Sequence, residues 1–193
     1  MIKKLFIFLI LYILSSCATF RNYDLGSAQP LPPTSSHAKI SLHTTSQCYT
    51  RGGAPLPCPD YRDDLFAYLQ QSNLFSSVGL NDYYADYKID IKFIHDNNFS
   101  LAMSILTAIP PLGLIPTLQN DDFYITIDVT NNHTRAHRKN LLQERMFTFK
   151  GWLFAPLSSQ ANPLHEFLTL KEDILNNILQ TIYQSITILP HKT

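Results

Sequence analysis

The sequence predicts an α+β fold, with one domain built from a mainly antiparallel sheet of about four strands and two helices packed on one face. Apolar and polar residues alternate with a period of two at 85–93 and 123–130, which is typical of strands with one solvent-exposed face. A long apolar stripe at helical spacing occupies 164–186. The predicted order of elements is β-α-β, an apolar insert, and then β-β-α.

In the N-terminal half, alternation at 38–44 predicts the first strand. Asp60 is a suitable cap for the first helix, and Asp63 and Asp64 fall in its first turn, where the helix dipole favours negative charge. Asn73 is a plausible end for this helix. The strand at 85–93 follows it.

In the C-terminal half, the strand at 123–130 is followed by a predicted turn at 131–134. The segment 144–150 returns as the second strand of a hairpin. Asn162 can cap the last helix, with Pro163 at its first position, where the missing N–H of proline costs nothing.

The first 16 residues have the features of a secretory signal peptide. Lys3 and Lys4 precede an uncharged apolar run at 5–14, which fits a signal-peptide core of roughly 7–15 residues and is shorter than the ~20 that a membrane-spanning helix needs. The run ends in the sequence LSSC at 14–17, which resembles the lipobox of bacterial lipoprotein precursors. The resemblance implies cleavage before Cys17 and acylation of its thiol and its freed amine. The alternative is an uncleaved N-terminal anchor that ends in a chance cysteine.

The residue after Cys17 bears on the location of the protein. In Gram-negative lipoproteins, an Asp at this position resembles an inner-membrane retention signal, whereas this chain has Ala18. We therefore expect a lipid anchor in the outer membrane, with the protein facing the periplasm; a Gram-positive source would place it outside its only membrane. Residues 17–36 comprise the lipidated cysteine and a Pro/Ser-rich tether, and 37–193 the globular domain.

The chain has three cysteines, and lipid would occupy one of them. Cys48 and Cys58 flank a loop rich in Gly and Pro, so that their side chains can meet. In an oxidising compartment such a pair predicts a disulfide, which would stabilise the fold by roughly 2–3 kcal/mol. Two free thiols are the alternative. A metal site is not expected, since His43 is the one further ligand nearby.

An uncharged apolar insert at 99–118 separates two predicted strands. It could be core beneath one end of the sheet, or an exposed surface for a partner protein or acyl chains. A third interpretation, membrane insertion, is opposed by the three prolines at 110, 111 and 116. If the insert is exposed, the predicted contact residues are Leu101, Met103, Ile105, Leu106, Leu112, Leu114 and Ile115.

No catalytic, cofactor-binding or metal-ligating residues are predicted. His133 and His137 have metal-ligand spacing, but they follow a turn and flank Arg135, whose charge opposes a cation. The acidic pairs at 63–64 and 121–122 are adjacent in sequence, so their side chains point apart in regular structure. A net charge of zero offers no basic field for nucleic acid or for an anionic membrane surface.

A second resemblance covers about half of the mature chain. The sequence at 65–78, 85–87, 106–107 and 112–116 resembles a loose group of small, mostly uncharacterised Gram-negative outer-membrane lipoproteins. At fold level the layout is also similar to envelope accessory lipoproteins, such as auxiliary subunits of lipid-transport complexes. The resemblance implies no active site that could be carried over.

These observations predict a non-enzymatic accessory or binding module, anchored by lipid, that contacts an envelope protein or a lipid. The contact surface would be a face of the sheet or the segment 101–118. One alternative is a hydrolase of envelope polymers whose site is assembled from scattered residues. Another is a structural surface antigen. No nucleic acid and no cofactor are expected.

Overall fold

The computed structural model describes residues 17–21, 25, 38–50, 53–58, 61–98, 117–150 and 163–190. The predicted signal peptide, most of the predicted tether and most of the apolar insert lie outside the described residues. Within them are seven strands and two helices. The strands are β1 (Cys17–Arg21), β2 (Lys39–Thr50), β3 (Pro55–Leu56), β4 (Ser77–Leu80), β5 (Tyr87–Asn97), β6 (Thr117–Asn131) and β7 (His137–Lys150), and the helices are α1 (Arg62–Gln71) and α2 (Pro163–Ile188).

The strands form one mixed sheet in the order β1-β7-β6-β5-β2-β3, and β4 pairs with β2. The pairs β1–β7, β7–β6, β6–β5 and β2–β3 are antiparallel, whereas β2 is parallel to both β4 and β5. The α+β class agrees with the sequence prediction. The prediction of about four strands in a mainly antiparallel sheet is wrong, because the sheet has seven strands and is mixed.

The strands that the prediction missed are short and lie at sheet edges. β1 has five residues, β3 two and β4 four, which is too little chain for an alternating pattern to be recognised. The parallel pairing arises because α1 crosses over between β2 and its neighbours β4 and β5, as parallel strands require.

Both helices pack on one face of the sheet, which we call the inner face. Alternate residues of β2, β5 and β6 point to this face and form the core with α1 and α2, and full burial of each large apolar side chain stabilises the fold by about 1.5–3 kcal/mol. The core residues that are almost completely buried are Ile40, Leu42, Leu65, Leu69, Ile89, Ile91, Ile125, Ile127, Ile178, Leu179 and Ile182.

The helix ends differ in detail from the prediction. α1 begins one residue after Tyr61, whose side chain makes no capping hydrogen bond, and the predicted cap Asp60 lies outside the described residues. The helix ends at Gln71, and Asn73 follows in a left-handed conformation with φ of 53°. Asparagine tolerates this conformation better than most residues, which explains a stop here. Within the described residues, neither helix combines the length and apolar character that crossing a membrane requires.

Strand β1 is held in the sheet by buried polar contacts. The hydroxyl oxygens of Thr19 and Thr148 are 3.1 Å apart. The Arg21 guanidinium donates to Asp173 at 2.7 Å and lies 3.5 Å from the Glu144 carboxylate. Residues 17–21, assigned to the tether by the sequence, are therefore part of the sheet. Apart from residue 25, the rest of the tether lies outside the described residues.

Candidate functional site

A narrow apolar cleft lies between the two helices and the inner face of the sheet. It forms where β5 ends and β6 begins, beside the first turns of α1 and the N-terminal half of α2. Its cavity volume is about 30 Å³, enough for roughly two water-sized groups at 10–15 Å³ each. The lining residues are Tyr61, Asp64, Phe93, Ile94, His95, Phe123, Ile125, Leu170, Lys171, Ile174 and Leu175.

Aromatic rings form two walls of the cleft. The ring centroids of Tyr61 and Phe93 are 5.0 Å apart, and the His95 ring stacks on Phe123 at 4.4 Å. Burial raises the pKa of the Tyr61 hydroxyl above its ordinary value, so this side chain stays neutral. The atoms that line the accessible surface of the cleft are almost all carbon.

Charged groups are confined to the rim. Lys171 on α2 donates to Asp64 on α1 at 2.6 Å, across the mouth of the cleft. Both side chains are more than one-third exposed, so this pair contributes little to stability. The pair instead adds a polar border to an apolar opening.

His95 and Asp121 form a partly buried pair beside the cleft. The His95 Nε2 atom is 2.9 Å from Asp121 Oδ1, and the Gln119 amide donates to the other carboxylate oxygen at 3.4 Å. A histidine held by a carboxylate can act as a base towards a hydroxyl or thiol nucleophile. The described residues that line the cleft include no Ser, Thr or Cys.

A second, open concavity lies at the opposite end of the sheet, on the outer face that the helices do not cover. It has a volume of about 610 Å³ and its lining is mixed in polarity, as its residues show: Ser41, His43, Asn81, Asp82, Tyr83, Lys88, Asn132 and Arg135. Asp90, beside it, accepts from Lys88 at 2.9 Å and lies 3.0 Å from His43 Nδ1. These exposed ion pairs belong to a solvated sheet face.

The predicted cysteine sites lie at one end of the sheet. Cys17 is the first residue of β1 and is paired with Lys150, the last residue of β7. Cys48 and Cys58 form a disulfide, which ties the end of β2 to the segment after β3 with 5.5 Å between the α-carbons.

The predicted contact residues lie outside the described residues: Leu101, Met103, Ile105, Leu106, Leu112, Leu114 and Ile115. Of the whole insert 99–118, the structure describes residues 117 and 118. Leu118 is 48% exposed.

The weak candidates from the sequence are dispersed in the structure. His133 lies 3.3 Å from Asp86, and His137 begins β7. Asp121 contacts His95 on the inner face, whereas its neighbour Asp122 pairs with Arg145 on the outer face. In the part of the chain that the structure describes, no three His, Cys, Asp or Glu residues are grouped so that they could hold a metal ion.

The sequence did not predict the cleft. Its walls come from four segments, 61–64, 93–95, 123–125 and 170–175, which become neighbours only when the sheet and the helices assemble. No spacing within the chain encodes that arrangement. The two phenylalanines, Phe93 and Phe123, fit the alternating strand pattern equally well as ordinary core residues.

Comparisons with known proteins do not show a family. No family model matches the chain, and no curated protein matches it. Among solved structures, a protein of family DUF330 from Xanthomonas campestris has a TM-score of 0.40 at 13% identity, covering 82% of this chain and 93% of that one. A PelC dodecamer from Paraburkholderia phytofirmans has a TM-score of 0.32 at 8% identity, covering 90% and 99%. These scores are too low to carry an argument about function.

Proposed function

We propose that this protein is a lipid-anchored envelope lipoprotein that acts as a non-enzymatic binding module for a protein or lipid partner. The observation that supports the binding role is the apolar cleft between the helices and the inner face of the sheet. Apolar concavities with a few polar groups at the rim are the usual form of small-ligand sites. The cleft is a better candidate for binding than the solvated concavity at the other end.

The size of the cleft limits what it can take. Room for roughly two water-sized groups admits the end of an acyl chain or one aliphatic side chain, and it excludes a whole lipid. The apolar walls favour such a group because burial removes its surface from water. The rim pair Asp64–Lys171 can contact a polar segment that follows the inserted group.

The proposed anchor is acylated Cys17 in the outer membrane, with the domain facing the periplasm. Its support is the LSSC sequence at 14–17, the short apolar run before it and the absence of Asp at position 18. Two or more acyl chains on one residue anchor a protein stably, whereas a single chain binds only marginally. The disulfide Cys48–Cys58 is consistent with an oxidising compartment.

Photo-crosslinking in the native envelope tests the binding role. A photoreactive phenylalanine analogue in place of Ile174 would lie in the cleft, and the same analogue in place of Leu141 would lie on the outer face, where Leu141 is 64% exposed. We expect a defined lipid or protein adduct from position 174 and none from the control. Failure to obtain an adduct at 174, or equal labelling at both positions, would contradict a binding role for the cleft.

Mass spectrometry of the purified protein tests the anchor independently. We expect an N-terminal peptide that begins at Cys17 and carries acyl groups. Globomycin, which blocks cleavage of acylated precursors, should cause an uncleaved, acylated form to accumulate. An unmodified thiol at position 17, or a retained leader, would contradict the lipoprotein proposal while leaving the crosslinking result intact.

A further inference from the structure

Four apolar side chains form a patch on the outer face of the sheet, at the end where β1 begins. The patch, which we call the aromatic patch, consists of Phe20, Leu118, Phe147 and Phe149. Phe20 is opposite Phe147 in the β1–β7 register, and Leu118 is opposite Phe149 in the β6–β7 register. Residues directly opposite each other in antiparallel strands share a face, so the four are neighbours.

The aromatic patch is accessible. Phe20 is 41% exposed and Leu118 48%, and the two β7 phenylalanines are partly exposed. The rings of Phe20 and Phe149 meet edge to face, with their centroids 5.7 Å apart. Arg145 lies 6.0 Å from the Phe147 ring and pairs with Asp122, which gives the patch a charged border on the side away from Cys17. Both described helices pack on the opposite face of the sheet.

The polarity of the two faces is inverted at this end. Several inner-face residues of the same strands are polar and buried: Thr19 is 1% exposed, Glu144 is completely buried, and Arg21 and Thr148 are also buried. Met146 and Phe123 are the apolar residues among them, and they pack with Leu170. A strand in a water-soluble domain ordinarily places its apolar residues inward and its polar residues outward. Here the polar groups contact one another inside, and the aromatic rings face outward. This inversion indicates an apolar environment outside the sheet.

The position of Cys17 indicates which apolar environment lies outside the sheet. Phe20 is three positions after Cys17 along β1, a distance of about 10 Å at the rise of an extended strand. The polar layer of one leaflet is only about 5–8 Å thick, half the difference between the whole bilayer and its hydrocarbon core. An acylated Cys17 therefore holds the aromatic patch within reach of the membrane interface. The buried contacts of Thr19 and Arg21 keep that spacing fixed.

We propose that the aromatic patch is a second membrane contact, lying in the interfacial layer beside the acyl chains of Cys17. This inference rests on the proposed acylation of Cys17. The sheet is then inclined against the bilayer, and no tether separates the domain from it. Phe and Leu side chains on the apolar face of interfacial helices lie about 5–10 Å deep, at the boundary between headgroups and acyl chains.

Tryptophan fluorescence in vesicles tests the proposal. The acylated protein, with Trp152→Phe to remove the native fluorophore, is reconstituted in vesicles of phosphatidylethanolamine and phosphatidylglycerol. Phe20→Trp and Leu118→Trp are measured in separate proteins, and Leu141→Trp on the same face is the matched control. We expect lipids brominated in their acyl chains to quench positions 20 and 118 at least about twofold more than position 141, because only the first two enter the interface.

The outcomes distinguish membrane contact by the aromatic patch from the proposed acylation of Cys17. Equal quenching at all three positions, or none, overturns it. A blue shift at position 20 that grows with protein concentration in the absence of vesicles indicates contact with a second copy and also overturns it. The same probes on unacylated mature chain, coupled through Cys17 to a maleimide-bearing lipid, test the patch even if mass spectrometry disproves natural acylation. Stronger quenching at positions 20 and 118 than at position 141 in this coupled protein supports membrane contact by the patch, whether or not Cys17 is naturally acylated.

Discussion

The two ends of the outer sheet face differ in polarity, although β6 and β7 extend to both ends. Near Cys17 the face carries Phe20 and Phe147, with polar groups buried behind them. At the far end it carries His43, Lys88 and Asp90, with aliphatic residues buried behind them. The far end follows the usual pattern of a sheet with one face in water. Along β7 the outer-face residues change from the exposed Lys139 at the far end to Phe147 and Phe149 near Cys17. The comparison teaches that the polarity of a strand face can change along a single strand.

The largest expected effect comes from removing the buried carboxylate behind the aromatic patch. Glu144→Ala leaves Arg21 with Asp173 as its described carboxylate partner. Breaking a buried ion pair by deleting one partner typically costs about 3–5 kcal/mol, so the free energy of unfolding should fall by that order. Denaturant titration measures the loss, and hydrogen exchange should show faster exchange in β1.

Glu172→Ala is the matched control, since Glu172 is an exposed acidic residue on α2. It should change stability by less than about 0.5 kcal/mol. If the two variants were equally stable, the polar residues behind the patch would not be holding β1 in place, and the contrast between the two ends would lose its basis.

An intermediate effect is expected from the disulfide, which lies at the same end but away from β1. The double variant Cys48→Ser, Cys58→Ser opens a loop with a sequence separation of 10. Loop-closure entropy for so short a loop predicts a loss of about 2–3 kcal/mol. Thermal unfolding measures the loss. Hydrogen exchange in β1 should stay close to that of the wild type, and faster exchange there would mean that the whole end of the sheet behaves as one unit.

The smallest effect is expected at the far end, where charges are exposed. The Asp86 carboxylate accepts from the Lys39 backbone N–H at 2.8 Å and lies 3.3 Å from His133. The Lys39 hydrogen bond, opposed by desolvation and assisted by His133, lowers the pKa of Asp86. Because Asp86 is more than one-third exposed, Asp86→Asn should cost no more than about 1 kcal/mol at neutral pH.

The lowered pKa of Asp86 predicts how its contribution to the stability of the fold depends on pH. A lowered pKa in the folded state means that Asp86 stabilises the fold above its unfolded pKa of about 3.9, and that this contribution is lost as the pH falls through the folded value. The stability difference between wild type and Asp86→Asn should therefore shrink in acid. A difference that stayed constant down to pH values below the folded pKa would show that the ionised carboxylate is not responsible.

The sequence alone was sufficient to predict the elements that are long enough to show a periodic pattern of apolar residues. The strands at 85–93 and 123–130 and the helix after Pro163 all form, because alternation and helical spacing directly determine which side chains can share a face. The Cys48–Cys58 disulfide was predictable from its short loop, rich in Gly and Pro, together with the oxidising compartment that the N-terminal sequence indicates. The short edge strands were not predictable, because five residues or fewer carry no usable period.

The candidate site was less predictable than the fold. The cleft needs Tyr61, Phe93 and Leu170 to converge from separate elements, and each of them alone resembles an ordinary core residue. The aromatic patch was hidden for another reason: residues 17–21 follow the predicted signal peptide directly and resemble the start of a tether. Their membership of the sheet depends on β7, whose partner residues lie about 130 positions away in the chain.

The pairing of β1 has a consequence for the order of events during biogenesis. β1 pairs with β7, and Arg21 reaches Asp173 on the C-terminal helix across 152 positions of sequence, so the contacts of β1 are complete only when both elements exist. Contacts of such high separation form late, after local ones. In an exported chain the N-terminal residues would emerge first, which leaves Cys17 available to processing enzymes before β1 pairs with β7. The last strand to join would thus be the first one made.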